Sequence, residues 1–241
     1  RLLVAVSVMI EWGEGDVGIP NVSGGGLSWQ LVASARGESS WSDGLFIFSA
    51  RVGSSDLEMS VTLNDDNNEQ VYTWAVLVVQ ISGDDGESSI YGVASSGTYE
   101  IPDGSYSLTL TASPGEGDIT LLYLMTDADN APVEPLLDSG WTLVDDLSVP
   151  AGGAGLVCAR REGSTSSIVN VLDVYRAGGN LYNAAMVAFI VRAQTAIIAT
   201  PGMYLWMLAN SYYEQLQGVE AGLERPSGMN AGFWGQKFFG V

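Results

Sequence analysis

Several short residue groups occur twice in this chain, in the same order and about 110 positions apart. The pairs are Trp29-Gln-Leu-Val and Trp141-Thr-Leu-Val, Ala50-Arg51 and Ala159-Arg160, Gly53-Ser-Ser and Gly163-Ser-Thr, and Tyr72-Thr-Trp-Ala and Tyr182-Asn-Ala-Ala. Because similarity at a fixed offset is the signature of a repeated structural unit, the sequence predicts two copies of one module. Chance similarity between two β-rich segments is the alternative.

The residues around these groups have the periodicity of β-strands. Apolar and polar side chains alternate in 57–63 and 106–110, which is the pattern of a strand with one buried face. Continuous apolar runs such as 2–10 and 74–81 are typical of strands covered on both faces, and clusters of Gly, Asn and Asp separate them. Short strands at this spacing predict an all-β fold with two tandem β-sandwich or jelly-roll-like modules.

The repeat and a change in composition divide the chain into four segments. We predict a first β-sandwich module over 1–83 and a linker with extra strands over 84–117. A second module is predicted over 118–193, followed by a C-terminal extension over 194–241.

The end of the chain differs from the rest in charge and aromatic content. Residues 192–241 carry three basic and three acidic side chains, so their net charge is zero. Thr200 as N-cap, Pro201 in the first turn and Gly218 at the end predict one helix, although Tyr and Trp also suit a strand. The aromatic residues of this segment are Tyr204, Trp206, Tyr212, Tyr213, Phe233, Trp234, Phe238 and Phe239. Aromatic residues are enriched in interfaces, so we predict docking to a neighbouring subunit; closing the core of its own chain is the alternative.

Charge and composition exclude several classes of function. The chain has 28 acidic and 9 basic residues, a net charge of −19, and no histidine. A surface this acidic repels a phosphate backbone, so we expect no direct nucleic-acid partner. Without histidine, neither a Ser-His-Asp triad nor a histidine-ligated metal site forms within one chain. The single Cys158 lies in an apolar run and is predicted to be a buried small side chain.

The apolar runs do not predict a membrane span. The run at 2–10 is too short to cross a bilayer and leads into an acidic turn without a cleavage pattern, so a buried strand explains it. A later run over 184–199 is interrupted by Arg192 and Gln194.

Carboxylates are the remaining candidates for chemistry. Paired acids in Gly-rich and Asn-rich turns are solvated, which argues against a glycosidase and favours no enzymatic activity. The group Asp127, Asp129 and Asn130 resembles part of a calcium-binding loop, but it lacks the glycine and the distant glutamate, and a solvated turn is the simpler interpretation. The string Gly-Glu-Gly-Asp at 13–16 and 115–118 does not keep the repeat offset, so we interpret both copies as acidic turns.

Two tryptophans lie in loop-like sequence. Trp12 and Trp41 are surrounded by Gly, Glu and Ser, a setting in which an aromatic ring can stack on a sugar. A secreted or cell-surface carbohydrate-binding β-sandwich is therefore the alternative function.

The order of elements in each copy resembles the β-modules of tailed-bacteriophage virion proteins. The residues that carry the resemblance are Trp29–Val32, Ala50–Ser55 and Tyr72–Val79, and again Trp141–Val144, Ala159–Thr165 and Tyr182–Phe189. The resemblance covers about residues 1 to 193 and implies a tail, tail-fibre or capsid-associated protein that takes part in assembly and host contact. It implies a virion location, a homo-oligomer with other virion proteins as partners, and no catalytic residue.

Overall fold

A computed structural model describes residues 1–10, 18–37, 44–52, 59–62, 71–84, 89–101, 105–128, 136–137, 140–147, 153–172 and 181–208. In these ranges the regular structure is β-strand, which confirms the all-β prediction. The strands are β1 (Leu2–Ile10), β2 (Asn21–Gly24), β3 (Gln30–Arg36), β4 (Gly44–Ala50), β5 (Met59–Thr62), β6 (Val71–Asp84), β7 (Ile90–Ile101), β8 (Ser105–Thr109), β9 (Ile119–Ala128), β10 (Leu136–Leu137), β11 (Trp141–Leu147), β12 (Gly153–Glu162), β13 (Ile168–Leu172), β14 (Leu181–Val191) and β15 (Ala193–Leu208).

The described strands form two large sheets and two small ones. Sheet I has the strand order β15-β6-β1-β4-β3, and sheet II has the order β11-β12-β9-β14-β7. Sheet III consists of β2 and β5, and sheet IV has the order β10-β13-β8. Neighbouring strands are antiparallel in all four sheets.

Sheets I and II pack face to face, and their facing side chains form the central core. Alternate residues point into this core, among them Leu3 and Ala5 of β1 and Leu121 and Tyr123 of β9. Strands β6 and β12 face each other, as do β4 and β14, β3 and β7, and β11 and β15. The arrangement is that of a β-sandwich with one shared interior.

The outer faces of the two large sheets are covered as well. Sheet III lies over sheet I, where Val22 of β2 packs with Trp74 of β6. Sheet IV lies over sheet II, where Leu108 of β8 and Val169 of β13 pack with Met186 of β14. Each large sheet therefore has one face in the central core and the other face against a small sheet. As a result, β4 is buried along its whole length. Strands that are covered on both faces are apolar at nearly every position, which accounts for the unbroken apolar runs in the sequence.

The two halves of the chain have the same strand order. Strands β6, β1, β4 and β3 hold the same places in sheet I that β14, β9, β12 and β11 hold in sheet II. The pair β2 and β5 likewise corresponds to β10 and β13. Tyr72 and Tyr182 of the repeated groups are each the second residue of equivalent strands, β6 and β14. The large sheets therefore face each other as two copies of one layout in approximate twofold symmetry.

The edge strands β7 and β15 are exchanged between the large sheets. β7 follows β6 in the chain but pairs with β14, from Ile90 opposite Val191 to Ile101 opposite Leu181. β15 follows β14 but pairs with β6. Each half of the chain therefore completes the large sheet of the other half.

The structure contradicts the helix predicted to begin at Thr200. The chain from Thr200 to Leu208 belongs to β15, and Pro201 lies opposite Val79, where the register shifts before Tyr204. Proline is tolerated there because an edge strand with an irregular register does not need its missing amide proton. Pairing along β6 outweighs the weak local helix signal, and the rest of the predicted helix lies outside the described residues.

Candidate functional site

The densest polar cluster of the described residues surrounds Asp118, directly before β9. The buried Asp118 carboxylate accepts hydrogen bonds from the Tyr91 hydroxyl of β7, from the Gly115 amide at 2.9 Å and from the Ala193 amide of β15 at 2.9 Å. The Asp118 amide donates to the Gly115 carbonyl at 3.2 Å, which closes the turn. One side chain thus connects the beginnings of β7, β9 and β15.

Arg192, between β14 and β15, adds two contacts to this cluster. Its guanidinium lies over the Tyr91 ring, 4.7 Å from the ring centroid. Its backbone amide donates to the Ser89 carbonyl at 2.6 Å. A cation over an aromatic face is favourable because the ring face carries negative charge density. The contact fixes the point at which the chain leaves sheet II for sheet I.

Burial and hydrogen bonding shift the two titratable groups in opposite directions. Burial by itself raises the pKa of Asp118, but the hydrogen bonds from Tyr91, Ala193 and Gly115 and the nearby Arg192 charge outweigh it, so the pKa lies below its ordinary value. The pKa of Tyr91 is raised by burial and by donation to the Asp118 carboxylate. Asp118 is therefore a charged acceptor at neutral pH, and Tyr91 is a neutral donor.

The Asp118 cluster has the chemistry of a structural connection. Its carboxylate is already bound by three donors, and the residues described by the structure contain no group of acidic, cysteine or histidine side chains that could hold a metal ion. General acid–base catalysis by carboxylates needs two carboxyl groups with different pKa values on opposite sides of a cleft. This cluster contains one carboxylate, that of Asp118. The sequence predicted an acidic turn at Gly115–Asp118, and the Asp118–Gly115 hydrogen bond closes one there. The distant partners Tyr91 and Ala193 give no local signal in the sequence.

A second polar contact fixes the connection between β12 and β13. The buried Arg161 donates from Nη1 to the Ile168 carbonyl at 2.9 Å and from Nη2 to the Ser166 carbonyl at 2.8 Å. Its guanidinium also lies over the Trp141 ring, 4.9 Å from the centroid. Both carbonyls belong to the chain just before and within β13, so Arg161 links sheet II to sheet IV.

Cys158 lies in the central core, as predicted. It is fully buried in β12, directly opposite Tyr123 of β9. Burial raises the pKa of the Cys158 thiol to about 12. Because the thiolate is the reactive form, this cysteine does not act as a nucleophile at neutral pH.

The predicted calcium and sugar contacts fall mostly outside the described residues. Asp127 lies in β9, where its neighbour on β12 is Ala154. The other two members of that group, Asp129 and Asn130, are outside the described part of the chain. Trp12 and Trp41, predicted to contact a glycan, are outside it too. Of the residues in these two predicted sites, the described part of the chain includes only Asp127.

The predicted interface aromatics divide into two sets. Tyr204 and Trp206 are part of β15, where they lie opposite Leu77 and Ala75 of β6. Their main chain thus extends the protein's own sheet I. The remaining predicted interface residues lie outside the described part of the chain: Tyr212, Tyr213, Phe233, Trp234, Phe238 and Phe239.

A search of the described residues for a helix long and apolar enough to cross a membrane finds none. Comparison of the chain with protein-family models, with curated proteins and with solved structures gives no match.

Proposed function

We propose that this protein is a non-enzymatic structural component of a virus particle, displayed on the particle surface and assembled through its C-terminal extension. The observation that carries the proposal is the distribution of charge: the whole net charge of −19 falls in 1–191, because 192–241 are neutral. Acidic copies repel one another and stay soluble at high density, whereas a neutral aromatic segment suits a buried contact.

The positions of the carboxylates in the fold support this proposal. Of the 28 acidic residues, those within described strands are Asp84, Glu100, Asp127, Asp145, Asp146 and Glu162. The others lie between strands in the sequence or in the C-terminal extension. Connections in a β-sandwich collect at the two ends of the sheets. We therefore expect most of the net charge to lie at the loop ends, where a displayed module meets solvent.

The docking part of the proposal rests on the last aromatic residues. Because Tyr204 and Trp206 belong to a strand of sheet I, we assign the contact with a neighbouring subunit to Phe233, Trp234, Phe238 and Phe239. The partners are further copies of this chain and other virion proteins.

Location on a particle is tested with antibodies against the purified chain. Particles from the culture that produces the protein are sedimented through a density gradient and labelled with gold-conjugated antibody for electron microscopy. We expect the protein to sediment with the particles and the label to lie on their outer surface. Protein that stays in the soluble fraction would contradict the proposal.

The docking role is tested on the full chain in solution. We expect wild type to self-associate in sedimentation velocity experiments and the double substitution Phe238→Ser with Phe239→Ser to reduce the associated fraction. Gln236→Ser is the matched control in the same segment and should leave association unchanged. A wild-type chain that is monomeric, and that binds a glycan array through Trp12 or Trp41, would favour the carbohydrate-binding alternative instead.

A further inference from the structure

The strands of sheet IV carry no charged side chain. β8, β10 and β13 contain none of the 28 acidic and 9 basic residues of the chain, and the longer segments 105–114 and 163–172 contain none either. The chain as a whole has a net charge of −19. An uncharged area is the part of such a surface that repels another acidic protein least.

Alternate residues of β8 and β13 point away from the sandwich. Leu108 and Val169 are buried against sheet II, so the residues on either side of them in each strand lie on the outer face of sheet IV. On this face, Thr109 lies opposite Ile168, and Ser107 lies opposite Asn170. The first three of these side chains are exposed, and Asn170 is half-buried. The outer face of sheet IV thus presents one isoleucine among uncharged polar side chains.

The main chain of Ile168 is held in place by its neighbours. Its amide donates to the Ser166 hydroxyl at 3.1 Å, and its carbonyl accepts a hydrogen bond from Arg161 Nη1 at 2.9 Å. Because this main chain is already ordered, a contact through the Ile168 side chain costs less conformational entropy than one through a mobile residue. An exposed apolar side chain among polar groups marks an interaction surface, and charged residues are depleted in interface cores. The outer face of sheet IV has both properties.

The polar groups around Ile168 can both donate and accept hydrogen bonds. The Ser107 hydroxyl donates to Asn170 Oδ1 at 2.8 Å, which orients the Asn170 amide. Hydroxyl and amide side chains carry donors and acceptors together, whereas charged side chains repel their own copies. A contact between two identical faces needs this self-complementarity, since every residue then meets the same set of groups that it belongs to.

We propose that the outer face of sheet IV binds the same face of a second copy of this chain, with Ile168 at the centre of a twofold-symmetric contact. Charge selects this partner: a basic protein is attracted to the acidic parts of the surface, whereas an acidic protein is repelled least by an uncharged face. A second copy is such an acidic protein. The contact rests on the proposed function in taking further copies of the chain as partners, and it is separate from docking through Phe233, Trp234, Phe238 and Phe239.

Sedimentation velocity of the full chain tests the role of Ile168. The parent chain carries Phe238→Ser and Phe239→Ser, so that association through the C-terminal extension does not mask this contact. We expect Ile168→Ser to raise the dimer dissociation constant about tenfold, as loss of an interface anchor does. Leu143→Ser is the matched control: Leu143 is 50% exposed and Ile168 49%, but the strand of Leu143, β11, also carries two acidic residues. The control should leave the dissociation constant unchanged.

Two outcomes of this experiment would overturn the proposal. A parent chain that is monomeric would show that copies do not meet through sheet IV, and equal effects of Ile168→Ser and Leu143→Ser would show that the contact lies elsewhere. Neither outcome affects location on a particle, which the antibody labelling measures separately. Conversely, a protein that does not sediment with particles leaves this measurement of self-association intact.

Charge variants at Thr109 distinguish a second copy from any other partner. Thr109→Asp and Thr109→Lys each place like charges in a contact between two copies, so each variant alone should associate more weakly than the parent chain. An equimolar mixture of the two should recover association, because opposite charges then meet. The same pair of substitutions at Thr142, an exposed residue of β11, is the control and should show no such recovery. A Thr109 mixture that does not recover would overturn the proposal.

Disulfide crosslinking gives an independent measurement. After mild oxidation, Thr109→Cys should form several-fold more disulfide-linked dimer than Thr142→Cys on a non-reducing gel, because only the first lies in the proposed contact. The native Cys158 is fully buried and does not compete. Equal yields from the two variants would overturn the proposal even if the charge variants failed to fold.

Discussion

Asp118 connects three strands because its carboxylate is the common acceptor of three donors. Two of these donors are backbone amides, at Gly115 and Ala193, and the third is the Tyr91 hydroxyl. Hydrogen bonds to a charged group contribute more than those between neutral groups. The cluster lies where β15 leaves the second half of the chain, so a single residue stabilises the crossing on which the strand exchange depends.

Replacing Asp118 by asparagine should destabilise the protein in a pH-dependent way. The substitution removes the charged acceptor, and we expect a loss of about 1–3 kcal/mol in the free energy of unfolding at pH 7. Because the folded-state pKa of Asp118 lies below its ordinary value of 3.8, the stabilisation is present above that value and is lost as pH falls through the folded pKa. The measurement is urea unfolding of both proteins at several pH values.

The matched control for this prediction is Glu116→Gln. It removes one negative charge from the same turn at an exposed position. We expect a change of less than about 0.5 kcal/mol for this variant, as for most surface substitutions. A difference between wild type and Asp118→Asn that stayed constant down to pH 2 would contradict the role given to the carboxylate charge.

Tyr123 and Tyr91 should respond in opposite ways to loss of their hydroxyl groups. The Tyr123 hydroxyl is buried in the central core with the Cys158 thiol, a weak hydrogen-bond partner, beside it, while its ring stacks on Phe189. Tyr123→Phe keeps the ring and removes this weakly bonded group, so we expect equal or greater stability, by up to about 1 kcal/mol. Tyr91→Phe removes a donor to Asp118 and should lower stability. Thermal unfolding of the two variants measures both effects, and a clear loss in Tyr123→Phe would contradict the first.

The exchanged edge strands close the sandwich at both sides. β7 at the edge of sheet II approaches β3 at the edge of sheet I, and β15 approaches β11 at the opposite side. The approach is close at Gly97 of β7, where an added Cβ atom would collide with the Arg36 carbonyl oxygen. Only glycine fits, because the obstructing atoms belong to the backbone of β3 and cannot rotate away.

Substitution of Gly97 by alanine should therefore separate the two sheets at this edge. We expect a loss of about 1–3 kcal/mol or more in the free energy of unfolding, since overpacked sites force backbone shifts. Ser95→Ala, at an exposed position of the same strand, is the control and should change stability little. Chemical denaturation compares the two variants. Wild-type stability in Gly97→Ala would mean that β3 and β7 do not approach as closely in solution.

At the scale of the whole molecule, the two halves share one core and exchange one strand each. Leu77 of β6 and Val187 of β14 hold equivalent places in the repeat, and both lie in the central core. Neither half has its complete large sheet without the other. We therefore expect the described β-structure to unfold as one cooperative unit.

Equivalent core substitutions in the two halves test this cooperativity. Leu77→Ala and Val187→Ala each remove buried methyl groups, and the larger deletion should cost about 2–5 kcal/mol. We expect tryptophan fluorescence and far-UV circular dichroism to report the same single transition in wild type, and each variant to shift that whole transition. Two transitions, of which a substitution shifts only one, would show that the halves fold independently.

Local patterning predicted the strands but not the partner that each strand meets. Alternation and apolar runs mark strands because side chains on a strand point to opposite faces, so the all-β fold was readable from the sequence. The sequence did not predict strand β15, because Thr200 and Pro201 fit the start of a helix as well as an edge strand. Only the pairing with β6 decides between helix and strand. The sequence did not predict the Asp118 cluster either, because two of its three donors lie far away in sequence, at Tyr91 and Ala193.

The sequence by itself determined that this chain is an acidic all-β protein with a repeated residue pattern, since these properties are local or additive. Only the tertiary structure decided that β7 and β15 cross to the opposite sheets and that the two halves share one core. It also decided that Asp118 connects the beginnings of three strands and that Gly97 allows β7 to approach β3. The physical reason is that an edge strand has nearly the same local preferences beside either sheet. Which sheet such a strand joins depends on its pairing with strands that are distant in sequence and on contacts with side chains that are distant in sequence.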